Sequence, residues 1–204
     1  MKREMDQDRR KFIQWTSMAG SSFVLSACMA THPKESDEKK SSAENKEADV
    51  SPAEDLMREH GVLDRVLLIY DEGLRRLALK QELDPGVLAS SAGIVRRFIE
   101  DYHEKLEENH LFPRFEKAGK LVDLVAILRK QHQAGRRITD EIQHLATLEA
   151  LKSPAERLKL QGSLTQFIRM YRPHAAREDT VLFPTLRQIV SSNEYDSMGE
   201  QFED

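Results

Sequence analysis

The chain has 204 residues, 31 of them Lys or Arg and 35 Asp or Glu, and only 39% are apolar, which excludes a multi-span membrane protein. A formal charge of −4 and a sequence pI near 6.0 provide no global basic field for nucleic acid phosphates, so no nucleic acid partner is expected. The single cysteine excludes an intrachain disulfide framework and any zinc site built from several thiolates.

That cysteine, Cys28, closes an N-terminal segment with the features of an address. Residues 1–11 are charged and lead into Arg9-Arg10-Lys11-Phe12-Ile13-Gln14, residues 12–27 are mildly apolar, and the stretch ends Leu25-Ser26-Ala27-Cys28. This resembles a twin-arginine export signal over residues 1–27 ending in a lipobox. Sixteen weakly apolar residues are too few for a span of roughly 20. The resemblance implies cleavage before Cys28, acylation of that residue and anchoring at the outer face of a bacterial-type membrane, periplasmic or extracytoplasmic. Such signals export folded proteins, often with a cofactor already in place. Residues 28–50 then read as the acylated cysteine and a disordered tether of mixed charge, with His32 a tether residue and no more.

Folding is expected to begin at Ser51-Pro52-Ala53-Glu54, where Ser suits an N-cap, Pro the first helical position and Glu the third. Asp84-Pro85 and Ser153-Pro154 read as further helix starts, and Ala118-Gly119 as a break. The pattern predicts four long helices near 52–79, 85–112, 120–149 and 154–190, within a bundle domain of residues 51–192 and followed by an acidic tail over 193–204. Apolar residues recur at helical and not alternating spacing, so the class is all-α: an antiparallel four-helix bundle. The seams are Leu56, His60, Leu63, Leu67, Tyr70, Leu74, Leu77 in the first helix and Leu121, Val125, Leu128, His132, Gly135, Ile142 in the third. The second places Ile99, His103, Leu106 or Glu107, and His110 inward, and the fourth Leu160, Leu164, Phe167, Tyr171, His174, Glu178, Val181. Pro173 lies inside the fourth and predicts a kink beside His174.

The chain repeats itself. His103-x3-Glu107-Glu108 and Leu111-Phe112-Pro113 align with His174-x3-Glu178-Asp179 and Leu182-Phe183-Pro184 at an offset of 71, and Leu56 to His60 aligns with Leu128 to His132 at an offset of 72. The bundle is therefore pseudo-twofold, and the symmetry gathers four histidines and two carboxylates around one point. Residues i and i+4 share a helix face, so His103 with Glu107 and His174 with Glu178 each present an imidazole and a carboxylate inward. Facing carboxylates out of water repel one another unless cations sit between them. Hard carboxylates with imidazoles and no thiolate suit iron or manganese, with zinc possible, and a two-metal site follows.

Any one of these histidines alone would be read as a satisfied core residue; the repeat makes the set a site. His110 lies about 10 Å further along the axis than His103, which suits a supporting or surface place, and His144 is about 120° round from His132 and expected in solvent. Tyr70 and Tyr171 read as packing. Each Leu-Phe-Pro reads as packing plus a helix break, with its Phe ring as a wall of the site.

Through His60, His103-x3-Glu107, His132, His174-x3-Glu178 and the two Leu-Phe-Pro ends, residues 54–190 resemble the hemerythrin or HHE cation-binding domain. The resemblance implies a non-haem di-iron centre that binds dioxygen or senses oxygen or iron, with His60, His103, His132 and His174 as terminal ligands and Glu107 and Glu178 as bridges. Oxygen carriers of the family have a second histidine four residues after the first on the third helix; here that position is Arg136. Glu104 matches a family variant in which an extra carboxylate replaces that ligand, and its repeat partner is Ala175. A seventh, anionic ligand would make the two metals differ and favour sensing or one-way oxidation over reversible carriage. The expected partners are dioxygen or another small oxidant and, through Cys28, a membrane; the sequence names no protein partner. The expectation is a metal- and oxygen-binding protein more than a multiple-turnover enzyme. The alternatives are an oxidoreductase acting on peroxide or nitric oxide, an iron store, or a structural bundle.

Overall fold

The computed structural model describes residues 51–203, apart from the side chains of Glu200 and Glu203. Residues 1–50, with the expected export signal, Cys28, the expected tether and His32, lie outside the described residues. Six helices follow one another: α1 Pro52–Ala78, α2 over residues 85–118, α3 Val122–Leu145, α4 Leu148–Lys152, α5 over residues 154–189, and α6 Ser192–Glu203. Among the described residues there is no strand, and no helix is long and apolar enough to cross a membrane.

Three helix starts follow from local chemistry. Ser51 Oγ accepts the Glu54 amide (3.3 Å), Ser153 Oγ accepts the Glu156 amide (3.4 Å), and Asp84 Oδ1 accepts the Gly86 amide (2.8 Å), each with proline next in the chain. The side-chain oxygen takes an amide that the first turn leaves unpaired, and proline costs nothing where no amide bond is due. The four long helices α1, α2, α3 and α5 reverse direction through short connections and close a ring of contacts, α1 on α2, α2 on α3, α3 on α5 and α5 on α1.

Neither Leu-Phe-Pro ends its helix. α2 runs through Pro113 to Ala118, and α5 through Pro173 and Pro184 to Ile189. Before each of the Leu-Phe-Pro prolines the helix widens into a π turn, Glu107–Leu111 and Glu178–Leu182, so that the Phe112 amide donates to the Glu107 carbonyl and the Phe183 amide to the Glu178 carbonyl. A proline lacks the amide and its ring collides with the carbonyl four residues back; one extra residue in the turn removes that collision. The extra residue also shifts the seam by one. Leu111 and Leu182 are fully buried where a regular helix would turn His110 and Val181 inward, and Val181 is 41% exposed.

The acidic tail of the sequence reading is helix α6, folded back onto the bundle. Tyr195, Met198 and Phe202 are buried, the Tyr102 hydroxyl donates to the Phe202 carbonyl (2.9 Å), and the Arg187 guanidinium lies over the Tyr195 ring. Three apolar residues at helical spacing explain this, since burying each contributes roughly 1.5–3 kcal/mol.

Two apolar clusters fill the bundle. One holds Leu63, Leu67, Leu88, Ile99, Leu164 and Phe167; the other holds Leu56, Phe112, Phe115, Leu128, Phe183 and the buried face of α6. Along α1, α2, α3 and α5 the polar residues discussed next come between members of the two clusters.

Candidate metal centre

The four long helices each bring one histidine to this polar layer. His60, His103, His132 and His174 are at most 3% exposed, and Glu107 and Glu178 are fully buried. The side chains meet through their Nε2 atoms and carboxylate oxygens: His60 to Glu178 3.3 Å, His174 to Glu178 3.0 Å, His132 to Glu107 3.4 Å and His103 to Glu107 3.9 Å. Two donor groups result, Glu107 with His132, His174 and Glu178, and His60 with His103 and Glu178. Glu178 belongs to both, as a bridge between two cations must.

Every imidazole is held from behind through Nδ1. His60 contacts Asp179 (2.8 Å), His103 contacts Glu59 (2.9 Å), His132 contacts Glu108 (3.1 Å) and His174 contacts Gln131 (2.9 Å). An acceptor at Nδ1 fixes the proton there and leaves the Nε2 lone pair pointing inward, the usual arrangement behind a metal-ligating histidine. None of these four residues stands out as a ligand in the sequence, yet the repeat pairs them: Glu59 aligns with Gln131, and Glu108 with Asp179. The phenyl rings of Leu-Phe-Pro complete the walls. Phe183 stacks on His60 at 5.7 Å and Phe112 on His132 at 5.4 Å.

Glu104 takes a different place. Position 104 follows His103 and turns away from the two donor groups, toward α3 and α5, where its carboxylate accepts from the Tyr171 hydroxyl (2.7 Å) and pairs with Arg136 (2.8 Å). It comes within reach of Glu108 and His132 as a third donor group, but the Arg136 guanidinium lies 2.8 Å from both carboxylates and supplies the positive charge. The inner ring is thus four imidazoles and two carboxylates. Tyr171 owes its place to Gly135, where a Cβ atom would fall 2.0 Å from the hydroxyl. The expected histidine at position 136 is replaced by a guanidinium that serves Glu104 and Glu108. Of the remaining histidines, His110 rests its ring against Phe202 (5.8 Å), and His144 is exposed.

The electrostatics show what the ring lacks. Burial pushes the Glu107 carboxyl well above the usual range, and repulsion from Glu178 and Glu104 adds to it. Burial also opposes ionisation of Glu178, but attraction from His174 and His60 outweighs it and holds that carboxyl below the usual range. His60 is lowered by burial but raised further by Asp179 and Glu178, to about 9. Burial lowers His103 to about 3 and His132 to about 4. Both Glu107 oxygens, both Glu178 oxygens and the Nε2 atoms of His60 and His132 are buried without a hydrogen-bond partner. Six orphaned atoms converging on two points, all imidazole nitrogen or carboxylate oxygen, match the needs of two hard or borderline divalent cations.

A helical bundle with two adjacent His/Glu donor groups across its middle defines a cation-binding protein. Residues 51–196 match the family model of the hemerythrin HHE cation binding domain, and the chain belongs to that family. It is also 45% identical over 196 residues to uncharacterized proteins from two strains of Mycobacterium tuberculosis and one of Mycobacterium bovis, covering 96% of this chain and 77% of theirs.

Proposed function

We propose that the domain holds two iron ions and binds dioxygen or a related small oxidant, as a sensor or scavenger tethered to a membrane. The observation that carries this reading is the pair of buried bridging-type carboxylates, Glu107 and Glu178, whose oxygens meet imidazole nitrogens and no hydrogen-bond donor of good geometry. His60, His103 and Glu178 would hold one ion, and His132, His174, Glu107 and Glu178 the other, with Glu107 3.9 Å from His103 completing the bridge. Iron in such a site supplies reversible one-electron chemistry toward small oxidants. The chain supplies the rest: Asp179, Glu59, Glu108 and Gln131 hold the imidazoles in one tautomer, and Phe112 and Phe183 exclude water from two of them.

Metal analysis of the purified protein, with absorption spectra in air, under reductant and after re-oxygenation, tests the reading. Two iron ions per chain and an oxidant-dependent charge-transfer band are expected. One metal, or none after anaerobic reconstitution with ferrous iron, would overturn it. Multiple turnover of peroxide or nitric oxide with an electron donor would make the protein an oxidoreductase. The tether rests on Arg9-Arg10 and Leu25-Ser26-Ala27-Cys28, and is tested by the mass of the mature N-terminus and by release into the soluble fraction on Cys28→Ser.

A further inference from the structure

The two halves of the bundle offer the same ligands, but the groups behind those ligands differ. In one half, His60 donates Nδ1–H to the Asp179 carboxylate (2.8 Å) and His103 to the Glu59 carboxylate (2.9 Å). In the other, His174 donates to a neutral carboxamide, Gln131 (2.9 Å). His132 donates to Glu108 (3.1 Å), a carboxylate that also accepts from Lys105 (2.6 Å) and Arg136 (2.8 Å). The repeat lets these positions be compared directly. Gln131 stands where the first half has Glu59; Arg136 and Lys105 stand where the corresponding residues are Asp64 and Ala176.

Both differences act in one direction. A carboxylate that accepts the Nδ1 proton sends electron density to Nε2 and makes the imidazole a stronger donor to a cation. A carboxamide does so less, and a carboxylate shared between two cations has less charge to give. The lengths differ in one pair, 2.8 Å for His60 with Asp179 against 3.1 Å for His132 with Glu108, and are equal at 2.9 Å in the other.

We propose that the two cation positions are unequal: the His60–His103 position binds tightly, while the His132–His174 position binds more weakly and exchanges its ion, because Gln131 and the Arg136-bound Glu108 support its histidines less. This rests on the dinuclear reading above. At limiting metal the protein then carries one ion, and the second position can take a different ion or be filled and emptied separately.

The test is an anaerobic titration of the full-length protein, stripped by chelator, with ferrous iron and followed by calorimetry. Two steps of one ion each are expected, separated by about tenfold or more in affinity. Gln131→Glu should tighten the weaker step about tenfold and narrow the gap, and Glu59→Gln should loosen the tighter step by a similar factor. If Glu59→Gln fails to fold, Asp179→Asn should move the same tighter step. Two ions entering with indistinguishable affinity, a Gln131→Glu shift in the tighter step, or a Glu59→Gln or Asp179→Asn shift in the weaker step would overturn the inference. Failure of the wild type to bind any ion would instead overturn the proposed function, so the two failures are distinct.

Discussion

Two groups of buried acids sit within two turns of one another on α2, and they are neutralised in opposite ways. Glu107, with Glu178 facing it from α5, meets only histidines. Glu100 and Glu104, just upstream, are surrounded by donors that the chain provides: Arg96 (2.6 Å) and Thr139 (2.5 Å) for Glu100, Arg136 and Tyr171 for Glu104. The second group has arginine charge beside each carboxylate, although Glu100 Oε2 and Glu104 Oε2 find no well-aligned donor, whereas the first has no arginine or lysine beside it. A buried carboxylate is therefore no evidence of a metal site by itself, and the evidence lies in which charges surround it.

The sharpest break between the two groups should come from metal removal. With ions present at about a thousandfold over their Kd, each contributes about 4 kcal/mol, so chelation should lower the melting temperature by ~10 °C or more. Glu107→Gln should abolish paired binding and yet raise the stability of the chelated protein by about 1–3 kcal/mol, because it removes a buried acid whose ionisation burial and the neighbouring Glu178 oppose. Equal melting temperatures before and after chelation, or a Glu107→Gln protein less stable than wild type when both are metal-free, would erase the distinction. Arg136→Ala should do the reverse. It leaves Glu104 with Tyr171 alone and Glu108 with Lys105 and His132, and should cost about 1–3 kcal/mol with or without metal, as measured by denaturant unfolding.

Acidity separates the groups more gently. In the metal-free protein burial biases Glu107 toward its protonated form, and at neutral pH His60 keeps a second ring proton because its value is about 9. A cation must displace both, so binding should release protons and tighten as the pH rises from 7 toward 9. Calorimetry in buffers of different ionisation enthalpy measures that release, and an affinity flat in pH would contradict it. The smallest effect belongs to Tyr171→Phe, which removes the 2.7 Å donor to Glu104 and should cost about 1–2 kcal/mol while metal stoichiometry stays unchanged.

Most of the frame was legible in the sequence, because apolar spacing, caps and the offset of 71 or 72 residues each report directly on helices and their pairing. The six inner residues were legible for the same reason. The partners of Glu104 were not legible, because adjacency to His103 says nothing about the guanidinium and hydroxyl that approach from α3 and α5, which are long-range contacts. Val181 was placed inward because a period of 3.6 cannot foresee an inserted residue. The C-terminal helix was missed because Tyr195, Met198 and Phe202 stand among acids that set the average character of the segment. The Nδ1 acceptors also leave a trace in the sequence, since they occupy aligned positions of the repeat, Glu59 with Gln131 and Glu108 with Asp179.

The π turns at Glu107–Leu111 and Glu178–Leu182 also constrain how this sequence can change over generations. Each amounts to one residue inserted into a helix whose flanks otherwise keep their facing, so deleting a residue such as Asn109 or Thr180 could leave Glu107 with Phe112, or Glu178 with Phe183, correctly oriented. The proline that follows opposes it, since in a regular turn its ring crowds the carbonyl four residues back at a cost of about 3 kcal/mol, a cost that the regular turn at Pro173 does bear. Losing the proline first is therefore the less costly order of steps by which descendants of this chain could leave the widened turn.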